Sequence, residues 1–263
     1  MTIIFYDIPS KLPGVFWSPN TSKTRFYLDY RRIPYKTEWL EYPDIEAFSK
    51  KHSIPPTTIY PASQGLDPVY TLPAIHDPST GVYLAESLEI ALYLDEKYPE
   101  SVTGVPRVIP EGTLGLQKAF YAAFWKILEP HLLDFLLITA PNLNPVSEEF
   151  FRRTKAERAG LTSLEDAIPS VEVAKARWAQ LETEFGKAAK WYPSKEKGIF
   201  IMGTKPVWAD IAVAAILHWM KSVYGAESDK WNDIARWDDG RWKELLESVQ
   251  SFTAASAWQV SRV

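Results

Sequence analysis

VYTLPAIHDPSTGVYLAESLEIALYLDEKYPE, residues 69–100, is the stretch whose reading decides the fold. Thr71 to His76 is a short apolar run carrying Pro73, and Asp77 to Gly81 is dense in turn formers. Val82 to Leu84 is a second short run. Ser87 then stands before an amphipathic pattern with Leu88, Ala91, Leu92 and Leu94 facing a core. The reading is strand, turn, strand, helix. A proline inside a strand removes a ladder hydrogen bond, which points to an edge, a bulge or a bend facing a ligand. Glu86 and Ser87 sit where a helix opens, and the unpaired N–H groups there favour an anion. The stretch reads as a binding edge for a small acidic molecule.

Outward from it, the N-terminal side supplies the rest of a small α/β unit. Thr2 to Asp7 is a strand by its β-branched and aromatic content. Residues 8–17 are a loop with Pro9, Pro13 and Gly14, longer than a strand-to-helix connection needs. Ser18-Pro19 has the form of a helix cap followed by proline at the first helical position. Lys36 to Tyr42 alternates as a second strand, Pro43-Asp44 opens a short helix to about Lys51, and residues 53–68, with four prolines and a glycine, read as a long loop.

On the C-terminal side, residues 99–112 are broken by prolines and glycines and mark the domain boundary. Beyond them the pattern is helical. Leu116, Phe120, Ala123, Phe124, Ile127 and His131 fall on one face of a first helix. Asn144-Pro145 caps a charged segment that stops at Gly160. Ser170 to Ala189, Ala209 to Val223 and Asp238 to Phe252 complete the set. The domains are therefore 1–98 (α/β), 99–112 (linker) and 113–263 (all-helical).

Composition excludes several classes. A net charge of −4 lacks the basic footprint of a nucleic-acid binder. The absence of cysteine removes disulfides, thiolate metal sites and a protein-cysteine nucleophile together. Four histidines spread singly do not make a metal cluster. No apolar run reaches a membrane-spanning length, and the N-terminus lacks a signal-peptide pattern. A cytoplasmic protein without metal, membrane or nucleic-acid partner is the expectation.

The order of elements, with Leu72-Pro73, Glu86-Ser87 and MGTKPVWADIAVAAIL at 202–217, resembles the glutathione transferases over essentially the whole chain. The Ser-Pro opening, the long loops and the WDDGRW tail most resemble fungal transferases related to bacterial β-aryl etherases. The resemblance implies a thioredoxin-like first domain that binds glutathione and a helical second domain. It implies a homodimer, and a thiol activated for attack on an aromatic or unsaturated electrophile. Conjugation, peroxidase and ether-cleaving chemistry all fit. A reductase that forms a mixed disulfide with its own cysteine does not. A ligandin that sequesters aromatic molecules without turnover is the alternative.

The resemblance also implies site residues. Ser18 matches the position of the sulfur-contacting serine. Asn20 competes through a match to fungal prion-type relatives, and Thr21 and Ser22 offer further hydroxyls. Leu72, before a proline that is cis in the family, pairs its backbone with the cysteinyl part of glutathione, while Glu86 and Ser87 take the γ-glutamyl end. Lys50, Lys51 and His52 are candidates for the glycyl carboxylate. Phe16, Trp17, Tyr121 and Trp125 are candidates for the electrophile pocket. One departure stands out: where the family places Ser or Thr three residues before Asp210, this chain has Val207. The reciprocal capping box is lost, and Thr204 is the substitute cap.

Overall fold

The structure, a computed structural model, describes residues 2–60 and 67–255, so residues 61–66 of the 53–68 loop lie outside it. The first half is thioredoxin-like. Strand β1 (Ile3–Asp7) pairs in parallel with β2 (Tyr35–Trp39) and antiparallel with β3 (Ala74–Asp77), which pairs antiparallel with β4 (Val82–Ala85). The sheet order is β2-β1-β3-β4. Helices α1 (Pro19–Tyr30), α2 (Ile45–Lys51) and α3 (Ser87–Lys97) complete the unit. Alternation places Ile3, Phe5 and Asp7 of β1 in the core. Two sequence-based limits shift: β2 stops at Trp39 rather than Tyr42, and β3 begins after Pro73, not before it. Each shift reflects proline chemistry. Pro43 stands in a single 3-10 turn (Tyr42–Asp44), and Pro73 has no N–H for the ladder.

Helix α1 is the hinge of the packing. It lies against α3 and against two helices of the second half, and every residue from Thr21 to Tyr30 is buried although six of the ten are polar or charged. Burying such a helix requires partners for its polar groups. Arg25 donates to Asp7 at 2.7 Å, Tyr35 donates to Asp29 at 3.0 Å, and Lys23 Nζ donates to the Tyr121 hydroxyl at 2.9 Å. Arg31 is fully buried against Asp95, which also accepts from Tyr27 at 2.9 Å.

The second half contains α5 (Leu114–Leu128), α6 (Leu132–Thr139), α7 (Pro145–Ala159), α8 (Val171–Ala189), α9 (Trp208–Tyr224) and α10 (Asp229–Ala255). The one-turn α4 (Glu100–Thr103) precedes them, in a segment that buries Val105, Val108 and Ile109. Helix α9 is buried from Trp208 to Met220, as an all-round apolar helix must be. Around it Phe124, Phe185 and Trp242 form an aromatic core, with Phe185 and Trp242 rings 5.1 Å apart, edge to face.

Several expectations need correction. Leu116 is 73% exposed and Ala123 is also exposed, because Gln117 takes the inward position on α5. Its side-chain oxygen accepts from Ala209 N at 3.1 Å, which satisfies an open N–H of α9. Helix α6 was not expected. The final helix begins earlier, at Asp229, and is broken at Trp237–Gly240, where Asp238, Asp239 and Gly240 adopt φ of 52°, 57° and 79°. Thr204 is not the cap of α9. The cap is Val207, whose side chain has no acceptor, and half of the box survives. The two Asp210 oxygens accept from Val207 N at 2.9 Å and Ile201 N at 2.8 Å.

Candidate functional site

Between the sheet's β1 and β3 ends and α7 lies a cavity of about 110 Å³. Ile8, Ser18 and Asn20 form part of its wall, Leu72 and the preceding residues 68–71 another, and Tyr42 with Phe150 a third; Lys155 and Arg158 close it. Ser18 and Asn20 thus meet Leu72, more than fifty residues further along the chain, at one space.

Each is placed by local chemistry. Ser18 is the N-cap residue of α1 with extended backbone, and Pro19 occupies the first helical position. An N-cap serine ordinarily accepts from an N–H of its helix, yet Ser18 makes no such bond, so among the described residues its hydroxyl is uncommitted at the positive end of a helix. Asn20 is exposed in the first turn. Thr21 and Ser22 are fully buried, Thr21 pointing its hydroxyl at the Ser18 carbonyl at 3.4 Å. The Leu72–Pro73 bond is cis, and the β1–β3 register starts only at Ala74, which leaves Leu72 outside the ladder. The segment before it is pinned by Thr58 pairing with Val69, and by hydroxyl contact between Thr57 and Thr71 at 2.9 Å.

Glu86 and Ser87 open α3 and are not among the residues lining this cavity. Glu86 has φ of 70°, a left-handed conformation that costs a non-glycine residue roughly 1–3 kcal/mol and is found where a side chain must be aimed. Its carboxyl pKa is raised by partial desolvation, with Lys23 acting in the opposite direction. Lys23 therefore connects three elements: it lies on α1, bonds Tyr121 on α5 and faces Glu86 at α3. Sequence reasoning assigned it no contact.

The remaining candidates are dispersed. Trp17 is buried in the core at 2% exposure, and Phe16 stacks on His218 with ring centroids 4.4 Å apart. Tyr121 and Trp125 lie next to each other on α5, half-buried, with rings 6.4 Å apart. Lys50 pairs with Glu46 at 2.6 Å, Lys51 is exposed, and His52 stacks on Tyr83 at 4.0 Å. None of these seven lines the cavity.

The residues that sequence reasoning missed come from beyond β2 and from α7. Tyr42 and Phe150 face each other nearly parallel at 6.3 Å. Helix α7 is clamped to the first half by Glu41, which accepts from Asn144 Nδ2 at 2.7 Å and from the Ser147 hydroxyl, while Ser147 accepts from Tyr42 N at 2.9 Å. A carboxylate at a helix N-terminus is favourable in its own right. Among the described residues no three His, Asp or Glu side chains are grouped to hold a metal, and no helix is long and apolar enough to cross a membrane.

Comparison with known proteins gives a consistent result. Residues 17–97 match the glutathione S-transferase N-terminal domain family and residues 115–252 the C-terminal domain family. A glutathione S-transferase of Ceriporiopsis subvermispora, solved in complex with glutathione, is 41% identical over 100% of this chain and 99% of that one, with a TM-score of 0.85. Glutathione transferase GSTFuA3 from Phanerochaete chrysosporium is 34% identical over 100% and 99%, with a TM-score of 0.80. The glutathione S-transferase-like protein ustS of Aspergillus flavus is 32% identical over 94% of this chain and 89% of its own. Both halves of the fold are matched, in order and nearly end to end, and the chain belongs to the glutathione S-transferase family.

Proposed function

We propose that the protein binds glutathione along residues 1–98 and holds its sulfur as thiolate at the start of α1. It then delivers that sulfur to an aromatic or unsaturated electrophile covered by residues 113–263. In a substitution the sulfur lone pair forms a carbon–sulfur bond, the leaving group departs with its electron pair, and the thiol proton passes to solvent; in an addition to an unsaturated acceptor the displaced π pair takes up a proton from solvent instead. Ser18 is the residue we assign to the sulfur, with Asn20 the neighbouring donor. Leu72 is assigned to the cysteinyl backbone, and Glu86 with Ser87 to the γ-glutamyl end.

The observation that carries the reading is the uncommitted Ser18 hydroxyl at a helix N-terminus, in the same cavity as Leu72. A free thiol with a pKa of about 8.5 is only a few per cent ionised at neutral pH, and a hydroxyl donor with a helix dipole favours the charged form. The chain's lack of cysteine leaves glutathione's sulfur as the only thiol in the reaction. A homodimer is the assembly we expect, and a sedimentation mass near twice 30.0 kDa tests it.

Conjugation of chlorodinitrobenzene tests the assignment. Ser18→Ala lowers kcat/KM on the order of 10²-fold, the loss typical of a removed charge-stabilising donor, and Asn20→Ala lowers it less. If both variants conjugate at the wild-type rate, both sulfur assignments are wrong. A wild type retained on immobilised glutathione that turns over no electrophile is a ligandin instead.

A further inference from the structure

We propose that Lys155 and Arg158 on α7 form an anion-binding wall of the electrophile site, selecting aromatic acceptors that carry a carboxylate.

Helix α7 carries four cations in its second half, and the structure treats them differently. Arg152 is paired with Glu148 at 2.9 Å and also with Glu165. Arg153 is exposed and lies over the Phe150 ring, with its guanidinium 5.3 Å from the centroid. Lys155 and Arg158 are half-buried, line the cavity, and have no carboxylate or hydrogen-bond partner among the described residues. The residues outside the description, Met1, 61–66 and 256–263, contain no Asp or Glu, so no acidic side chain of this chain is left to pair with them. Within the cavity wall the single acidic side chain is Glu46, and Lys50 already neutralises it at 2.6 Å.

Two like charges one helical turn apart and partly out of water destabilise each other unless an anion joins them. Lys155 responds accordingly: burial, with Arg158 adding to it, pulls its ammonium pKa down to about 8. Its Nζ lies 5.3 Å from the Phe151 centroid, a contact with an aromatic face that offsets a fraction of that cost. The clamp of Glu41 on Asn144 and Ser147 ties α7 to the first half, which holds the two cations in the cavity that Ser18 also lines.

The anion's identity follows from position and neighbours. Both cations belong to the helical half, whereas the residues assigned to glutathione lie on the thioredoxin-like half. Beside them stands the Tyr42–Phe150 pair, a flat apolar wall suited to a ring. A planar ring with a carboxylate on its rim satisfies the two features together, the guanidinium offering a bidentate donor face. The inference rests on the transferase reading for where glutathione lies.

The test pairs two probes of one reactivity class: chlorodinitrobenzene, and chlorodinitrobenzoate, its carboxylated analogue. Alongside turnover, the affinities of nitrobenzoate and nitrobenzamide are measured by tryptophan fluorescence in protein saturated with glutathione. The expected result is a wild-type preference for the carboxylated member in both assays. Lys155→Gln and Arg158→Gln each lower the carboxylated-to-neutral kcat/KM ratio on the order of 10-fold, as loss of a charged hydrogen bond does. Lys155→Arg restores it. Equal handling of both probes by the wild type overturns the inference and leaves the transferase reading intact. A higher KM for glutathione in the variants with an unchanged ratio also overturns it, by assigning the cations to the glycyl carboxylate. Benzoate binding that depends on Lys155 and Arg158, in a protein without turnover, sustains the inference and removes the transferase reading.

Discussion

Ser18 and His218 show how much single side chains carry. The sequence places Ser18 at a helix cap, and the structure gives it no cap bond, which is the ground on which we assign it to the sulfur. His218 works in the opposite direction, as a neutral buried group. Its ring stacks on Phe16, Gln250 donates to Nδ1 at 3.4 Å, and Nε2 faces the Phe16 carbonyl at 3.4 Å. Burial lowers its pKa from 6.5 to about 4. The folded value lies below the unfolded one, so the stability it contributes is complete above pH 6.5 and is lost as pH falls toward 4. Near pH 5 the loss amounts to about 2 kcal/mol relative to neutral pH. Urea denaturation of wild type and His218→Phe measures it: their difference shrinks by that amount on acidification, and a constant difference refutes a depressed His218. Asp210 gives a second test. Asp210→Ala strands the buried N–H of Val207 and the partly buried N–H of Ile201, and lowers stability by about 2–4 kcal/mol in the same assay.

At the scale of elements, what was legible and what was not divides by physical cause. The β-α-β-α-β-β-α order of the first half and the capped helices α7 and α8 followed from prolines, turn formers and caps, whose effects are local. Helix α6, LLDFLLIT, is apolar almost throughout, has no periodicity to read and lies between Pro130 and Pro141. The part of α10 before Trp237 was not legible, because Trp237 to Gly240 leave the helical conformation and split the element, and only the part beyond the break was read as a helix. One local and one distant bond hold the break: Trp242 Nε1, four residues on, donates to Asp238 at 2.6 Å, and Lys195 Nζ donates to the Asp239 carbonyl at 2.7 Å. For the candidate site, Ser18, Asn20 and Leu72 were legible, whereas Tyr42, Phe150, Lys155 and Arg158 were not. The charged pattern of α7 reads as a solvated helix, and only tertiary packing turns it toward the cavity. That packing depends on Glu41. Glu41→Ala removes the acceptor for Asn144 and Ser147 and lowers the thermal midpoint by several degrees, equivalent to about 1–3 kcal/mol. An unchanged midpoint contradicts the clamp.

Across the whole molecule, α1 makes the two halves one folding unit. Thr253 of α10 donates to Asp29 of α1 at 2.7 Å, loop residue Lys11 donates through its N–H to the Asn142 carbonyl at 2.9 Å, and Lys23 reaches Tyr121. With polar contacts shared across the boundary, the two halves are expected to open together. Far-ultraviolet dichroism and tryptophan fluorescence should report one coincident unfolding transition in urea. Two separated transitions would show independent halves. The same architecture lines one cavity with the start of α1 from one half and with α7 from the other.

The central claim is that Ser18 favours the thiolate of bound glutathione. It is tested most directly by following thiolate ultraviolet absorbance against pH in the glutathione complex. The account predicts a bound-thiol pKa at least one unit below the free value of about 8.5 in the wild type, returning toward it in Ser18→Ala. A bound thiol that titrates alike in both proteins contradicts it.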